Sequence, residues 1–88
     1  MQNISGNILT GEYDEKENVF TIQTVKHFYT ETTLNGQQVQ SLCKYLSERE
    51  HEDGQVLSLF DQMLIRLSQS EVHSLLKDLE RIRVMYHS

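Results

Sequence analysis

One thiol, four histidines and thirteen carboxylates are the groups in this 88-residue chain able to serve a reaction or hold a metal. Their spacing decides what each can do. Cys43 falls within the apolar series Val39, Leu42, Cys43 and Leu46, where a buried thiol behaves as a small hydrophobe, and no histidine is placed to activate it. His51 stands beside Glu52 and Asp53, but adjacent side chains point apart on a helix and no second histidine follows at i+4. His27 lies in an extended stretch, His73 flanks Val72, and His87 belongs to the tail. None of these has a ligand or triad partner at a diagnostic spacing. Acid–base catalysis by carboxylates needs two of them held across a cleft, and the sequence selects no such pair. Glycines 6, 11, 36 and 54 are isolated, so no phosphate-cradling loop is present. The expectation is a non-enzymatic protein without a catalytic, cofactor or metal site.

Binding is the remaining class of function. Tyr29, Tyr45, Ile65, Val84 and Met85 fall outside the cleanest core stripes and are the candidate interface residues. Tyr and Met are enriched in interface cores, although each of these residues would equally serve to widen the protein's own core. A nucleic-acid surface would use Arg66, Lys77 and Arg81. Lys77 and Arg81 share a helix face at i, i+4, but Asp78 and Glu80 interrupt it, as on an ordinary solvated face. The net charge of −5 opposes the counterion displacement on which non-specific nucleic-acid binding depends. The acidic segments Asp14–Glu17 and Glu48–Asp53 suit a basic partner instead.

The elements that position these residues are organised around Leu34–Leu46 (LNGQQVQSLCKYL) and, 33 positions later, Leu67–Leu79 (LSQSEVHSLLKDL). In each, Asn35 or Ser68 is placed to cap a helix, with Gln38 or Glu71 three residues on to reach back. Leu34 or Leu67 can staple onto Val39 or Val72. Apolar residues then recur at helical spacing: Val39, Leu42, Cys43 and Leu46 in one copy, Val72, Leu75, Leu76 and Leu79 in the other, continued by Ile82 and Tyr86. The similarity reads either as convergence of two capped amphipathic helices, which is preferred, or as a duplicated strand–helix unit. Two copies fall short of a solenoid.

Residues 7–33 read as extended. Asn7–Tyr13 and Val19–Val25 form strands around the polar turn Asp14–Asn18, and His27–Thr33 continues in β-favouring types. Either this makes three strands, which is preferred, or 19–33 is one long bent strand. Strict alternation puts Phe20, Ile22 and Phe28 on one face and Val19, Val25 and Tyr29 on the other, so both faces are expected to be apolar, one covering the helices and the other meeting a second chain. Helices are expected over about 36–49, 55–66 and 69–85. For 55–67, Leu, Met, Gln and Asp favour a helix with Val56, Phe60, Met63, Leu64 and Leu67 inward. The competing reading pairs two strands, with Leu57 and Leu59 alternating, a turn at Asp61-Gln62, and Met63, Ile65 and Leu67 alternating again.

A segment of this length makes one small core, and chains of this size often dimerise to bury more apolar surface. The fold class is α+β: an N-terminal antiparallel hairpin or three-stranded meander, packed by about three helices, in a single domain spanning 1–88. No apolar run exceeds three residues, the first residues lack a secretory signal, and a single cysteine suits a reducing compartment, so a cytoplasmic location is expected. Met63–Leu67 followed by the capped helix (MLIRLSQSEVHSLL) resembles the strand-then-helix opening of ribbon–helix–helix repressors. That family places its strand near the chain start and follows its first helix with another, and this sequence does neither. The expected function is modulation of another protein, as inhibitor or adaptor, by a homodimer of the type that mobile elements often encode. The alternative is a dimeric nucleic-acid-binding regulator.

Overall fold

The computed structural model describes residues 1–49, 55–59 and 63–87, with 55–59 and 63–64 described through their backbone. The elements run β1 (Gln2–Ser5), β2 (Leu9–Asp14), β3 (Val19–Val25), β4 (Phe28–Asn35), α1 (Gly36–Ser47), β5 (Gln55–Leu59), β6 (Met63–Leu67) and α2 (Gln69–Arg83). The class is α+β, with a four-stranded antiparallel sheet in the order β1-β2-β3-β4 and a separate antiparallel hairpin β5-β6. Two helices, not three, complete the described structure. Among the described residues no helix is long and apolar enough to cross a membrane.

The expected helix over 55–66 is therefore corrected to a strand pair, in which Leu57 stands opposite Ile65 and Leu59 opposite Met63. Period-2 alternation wins over helix propensity because it sends Ile65 and Leu67 together into the core, both fully buried, and leaves Arg66 outside. The Asp61-Gln62 turn of that reading lies outside the described residues. A second correction adds β1, whose residues were not read as a strand. The preferred three-strand reading of 7–33 holds, with 28–35 as the third of those strands.

Face assignment along β3 is the third correction. Phe20 and Ile22 point into the core as expected, but so does Val25. The register shifts at Gln23 against both neighbouring strands: Ile22 pairs Gly11 and Thr32, whereas Thr24 pairs Thr10 and Tyr29. One irregular residue reverses the alternation beyond it. The outer face is consequently polar rather than apolar, and hydroxyl pairs knit it: Thr10 with Thr24 at 2.6 Å, and Thr21 with Thr33 at 2.9 Å.

The inner face supplies Leu9, Tyr13, Phe20, Ile22, Val25 and Leu34 to a core that the helix stripes complete. Gly11 belongs to that face because the Phe20 ring lies over it, where an added Cβ would stand 2.6 Å from the ring. Both helices begin as the sequence predicts. Asn35 Oδ1 accepts from the Gln38 amide while Gln38 Oε1 accepts from the Asn35 amide, each at 2.8 Å, and Ser68 and Glu71 repeat the reciprocal pair. Val39, Cys43 and Leu46 of α1 and Val72, Leu75, Leu76, Leu79 and Ile82 of α2 are buried. Both copies of the 33-residue similarity thus take the same form, a strand running through a cap into a helix.

Candidate interaction surfaces

Several groups with chemical potential are committed to holding the fold. Cys43 is buried where α1 faces α2, and burial pushes its thiol above the ordinary range, so it stays protonated and weakly nucleophilic. Its electrostatic neighbours Arg83 and Glu80 pull in opposite directions. Among the described residues no three of His, Cys, Asp and Glu gather as a metal site, and His51, Glu52 and Asp53 lie outside those residues.

The tail closes over the β2–β3 turn. The His87 amide donates to Asn18 Oδ1 at 3.1 Å, Asn18 Nδ2 donates to the His87 carbonyl at 2.6 Å, and the Tyr13 hydroxyl also donates to Asn18. A ring nitrogen of His87 lies 3.1 Å from the Glu15 carbonyl. Tyr86 stacks edge-on against Tyr13 and donates its hydroxyl to the Leu34 carbonyl at 2.7 Å. Asn18 meets these contacts from the left-handed region, at φ 57°, which Asn tolerates better than most residues.

Asp78 is the residue that sequence reasoning placed wrongly. Read as one more charge on a solvated helix face, it is 1% exposed and the sole buried charged residue among those described. Its carboxylate accepts backbone N–H groups from Asn7 and Ile8, each at 2.8 Å, and from Leu9 at 3.2 Å. Successive amides of the β1–β2 turn form a cradle that compensates the buried charge. These bonds commit both carboxylate oxygens to main-chain N–H groups. A usable sequence signal did exist: Asp78 lies between Leu75 and Ile82 on the stripe, at i+3 and i−4.

The five candidate interface residues separate. Tyr29 and Val84 are strongly exposed, at 68% and 78%. Tyr45 and Met85 are half-buried against the core, and the Arg49 guanidinium lies 3.9 Å from the Tyr45 ring centre. Ile65 is fully buried and presents nothing to a partner, which corrects its assignment. Phe28, which was not singled out, is 42% exposed and neighbours Tyr29 at the start of β4. The signal for it was its adjacent aromatic neighbour in a stretch whose strand parity was ambiguous.

The three basic candidates divide as well. Lys77 and Arg81 line one shallow cleft with Asn7, Glu80 and Val84. Arg66 lines another, with Lys26, His27 and Phe28 near the start of α2. There Lys26 Nζ stands 3.0 Å from Glu71 and donates to the Arg66 carbonyl at 3.2 Å. Bonds from the Ser68 backbone amide and then Lys26 hold the Glu71 carboxyl below its usual range.

Comparison of the chain with protein-family models, with curated proteins and with solved structures finds no match.

Proposed function

We propose that this protein is a small non-enzymatic cytoplasmic regulator that works as a homodimer and modulates another protein by binding it. The observation behind this reading is the distribution of large apolar groups. A filled core still leaves Phe28 and Tyr29 exposed on β4 and Val84 exposed at the end of α2. Exposed aromatic and aliphatic side chains beside charged ones are the composition of an interface centre with its rim. Two such places on different elements suit a protein that meets its own copy with one and its target with the other. Val84 is the target anchor in this reading, with Lys77, Glu80 and Arg81 as its rim.

Capture from native lysate by the tagged protein tests the reading, with nuclease and at low and high salt. A discrete protein retained in every condition by wild type, and lost with Val84→Asp, is the expected result. The second reading, a nucleic-acid-binding regulator, draws on Lys77 and Arg81 sharing a cleft and on Arg66 lying beside Lys26 and Phe28. Nucleic acid recovered only at low salt, and lost with Lys77→Ala and Arg81→Ala, would replace the first reading with this one.

A further inference from the structure

Residues 85–87 leave the end of α2 without joining another helix or strand. The Met85 amide still donates to the Ile82 carbonyl at 2.9 Å, and the Tyr86 amide to the Arg83 carbonyl at 3.4 Å. Every further hydrogen bond described for these residues runs through a side chain. The Asn18 amide takes the N–H and the carbonyl of His87 together, at 3.1 and 2.6 Å. The Tyr86 ring lies over Gly36, where an added Cβ would stand 3.4 Å from it, and meets the Tyr13 ring edge-on at 5.3 Å. One short segment thus closes over the β2–β3 turn and the start of α1.

This closure differs in kind from the core beneath it. Tyr86 is half-buried and His87 exposed, whereas Phe20 and Ile82 are fully buried. Side-chain bonds at such positions open at lower free energy than the fold as a whole. What closure hides is specific. Val84 is 78% exposed, but Met85 and Tyr86, which follow it directly, are packed against the core. Met and Tyr are the types that enrich interface centres.

We infer that residues 85–87 form an autoinhibitory strap with Asn18 as its catch. Closed, the strap withholds Met85 and Tyr86 from the surface that Val84 presents, and opening adds them to it. This rests on the reading of Val84 as the target anchor and gives that site a control. Asn18 suits the role because its amide carries one acceptor and donors besides, which match a peptide N–H and carbonyl whatever side chain lies between them.

Asn18→Gly removes the catch while keeping the left-handed conformation at φ 57° without steric cost. Amide hydrogen exchange of the full chain is expected to quicken about tenfold at Met85 and Tyr86, whose amides do not bond Asn18, and to stay as in wild type at Phe20 and Leu79. With native lysate as the probe, Asn18→Gly is expected to retain the Val84-dependent protein at about tenfold lower bait concentration, because more of the chain is open. Tyr86→Ala also opens the strap but removes a side chain that opening delivers, so it should show no such gain. Unchanged exchange at Met85 and Tyr86, or exchange quickened equally throughout the chain, overturns the strap. Quickened exchange without a gain in retention, or with the same gain for Tyr86→Ala, overturns the autoinhibition and leaves Val84 as the anchor. Retention by neither wild type nor Asn18→Gly overturns the target reading and this inference with it.

Discussion

The carboxylate of Asp78 occupies the space that a side chain at Gly6 would need: a Cβ built there stands 2.5 Å from the Asp78 Cγ. Helix α2 thus reaches into the β1–β2 turn, 71 positions away at Asn7, and fixes it by charge-assisted bonds to consecutive amides. Asp78→Ala leaves those donors buried without a partner and should cost about 3 kcal/mol or more. Gly6→Ala alone should cost about 1–3 kcal/mol, as overpacking does. With Asp78 already truncated the same Gly6 substitution should cost much less, so a double-mutant cycle by chemical denaturation should show strong coupling. Additive costs would mean that the two residues do not share this space.

The strand assignment of 63–67 makes neighbours behave oppositely. Ile65→Ala removes a fully buried side chain and should lower stability by roughly 2–5 kcal/mol. Arg66→Ala, exposed and contacting Lys26 through its backbone carbonyl, should stay within about 0.5 kcal/mol. The same contrast applies on α2 between Leu75→Ala and the exposed Lys77→Ala. Urea unfolding of the four variants checks both pairs, and similar costs within a pair would reverse the faces.

Burial raises the Tyr86 phenol to about 12. A group whose folded pKa is raised contributes stability that is full below its unfolded value near 10 and is lost as pH rises through the folded one. Stability should therefore fall between about pH 10 and 12, with a tyrosinate absorbance change that titrates late. Tyr86→Phe should cost about 1 kcal/mol at neutral pH for the bond to the Leu34 carbonyl and should remove this part of the alkaline slope.

Glu71 titrates in the opposite sense. Its carboxyl is held low by the Ser68 amide and by Lys26, so its contribution is present above the ordinary glutamate value and is lost as pH falls through the depressed folded one. Glu71→Gln keeps a cap acceptor but no charge. It should flatten the acid limb of the stability profile while leaving α2 intact by circular dichroism.

Cys43 should react slowly with thiol reagents in the native chain at neutral pH and rapidly in denaturant, because its thiol is buried and held protonated. Equal native and denatured rates would place the thiol on the surface.

Local chemistry was enough to specify both helices. Asn35 with Gln38, and Ser68 with Glu71, lie within one turn of each other, and the apolar stripes after them need no distant partner to be read. The β2–β3 hairpin was equally legible, because a polar turn between two β-favouring runs is a short-range signal. Three features depended on contacts distant in sequence. Residues 55–67 offered helical and alternating patterns at once, and burial of Ile65 and Leu67 in a core built elsewhere decided for strands. The irregularity at Gln23 turned Val25 inward and made the outer sheet face polar, since register is settled between strands rather than along one. Asp78 looked like a solvated charge until the turn amides of residues 7–9 closed around it. The sequence by itself determined where α1 and α2 start and most of the apolar residues they bury, because those interactions span three or four residues. The tertiary structure alone decided the face of each strand, the fate of a buried charge and which apolar groups remain outside, because each is a competition for space among segments far apart in the chain.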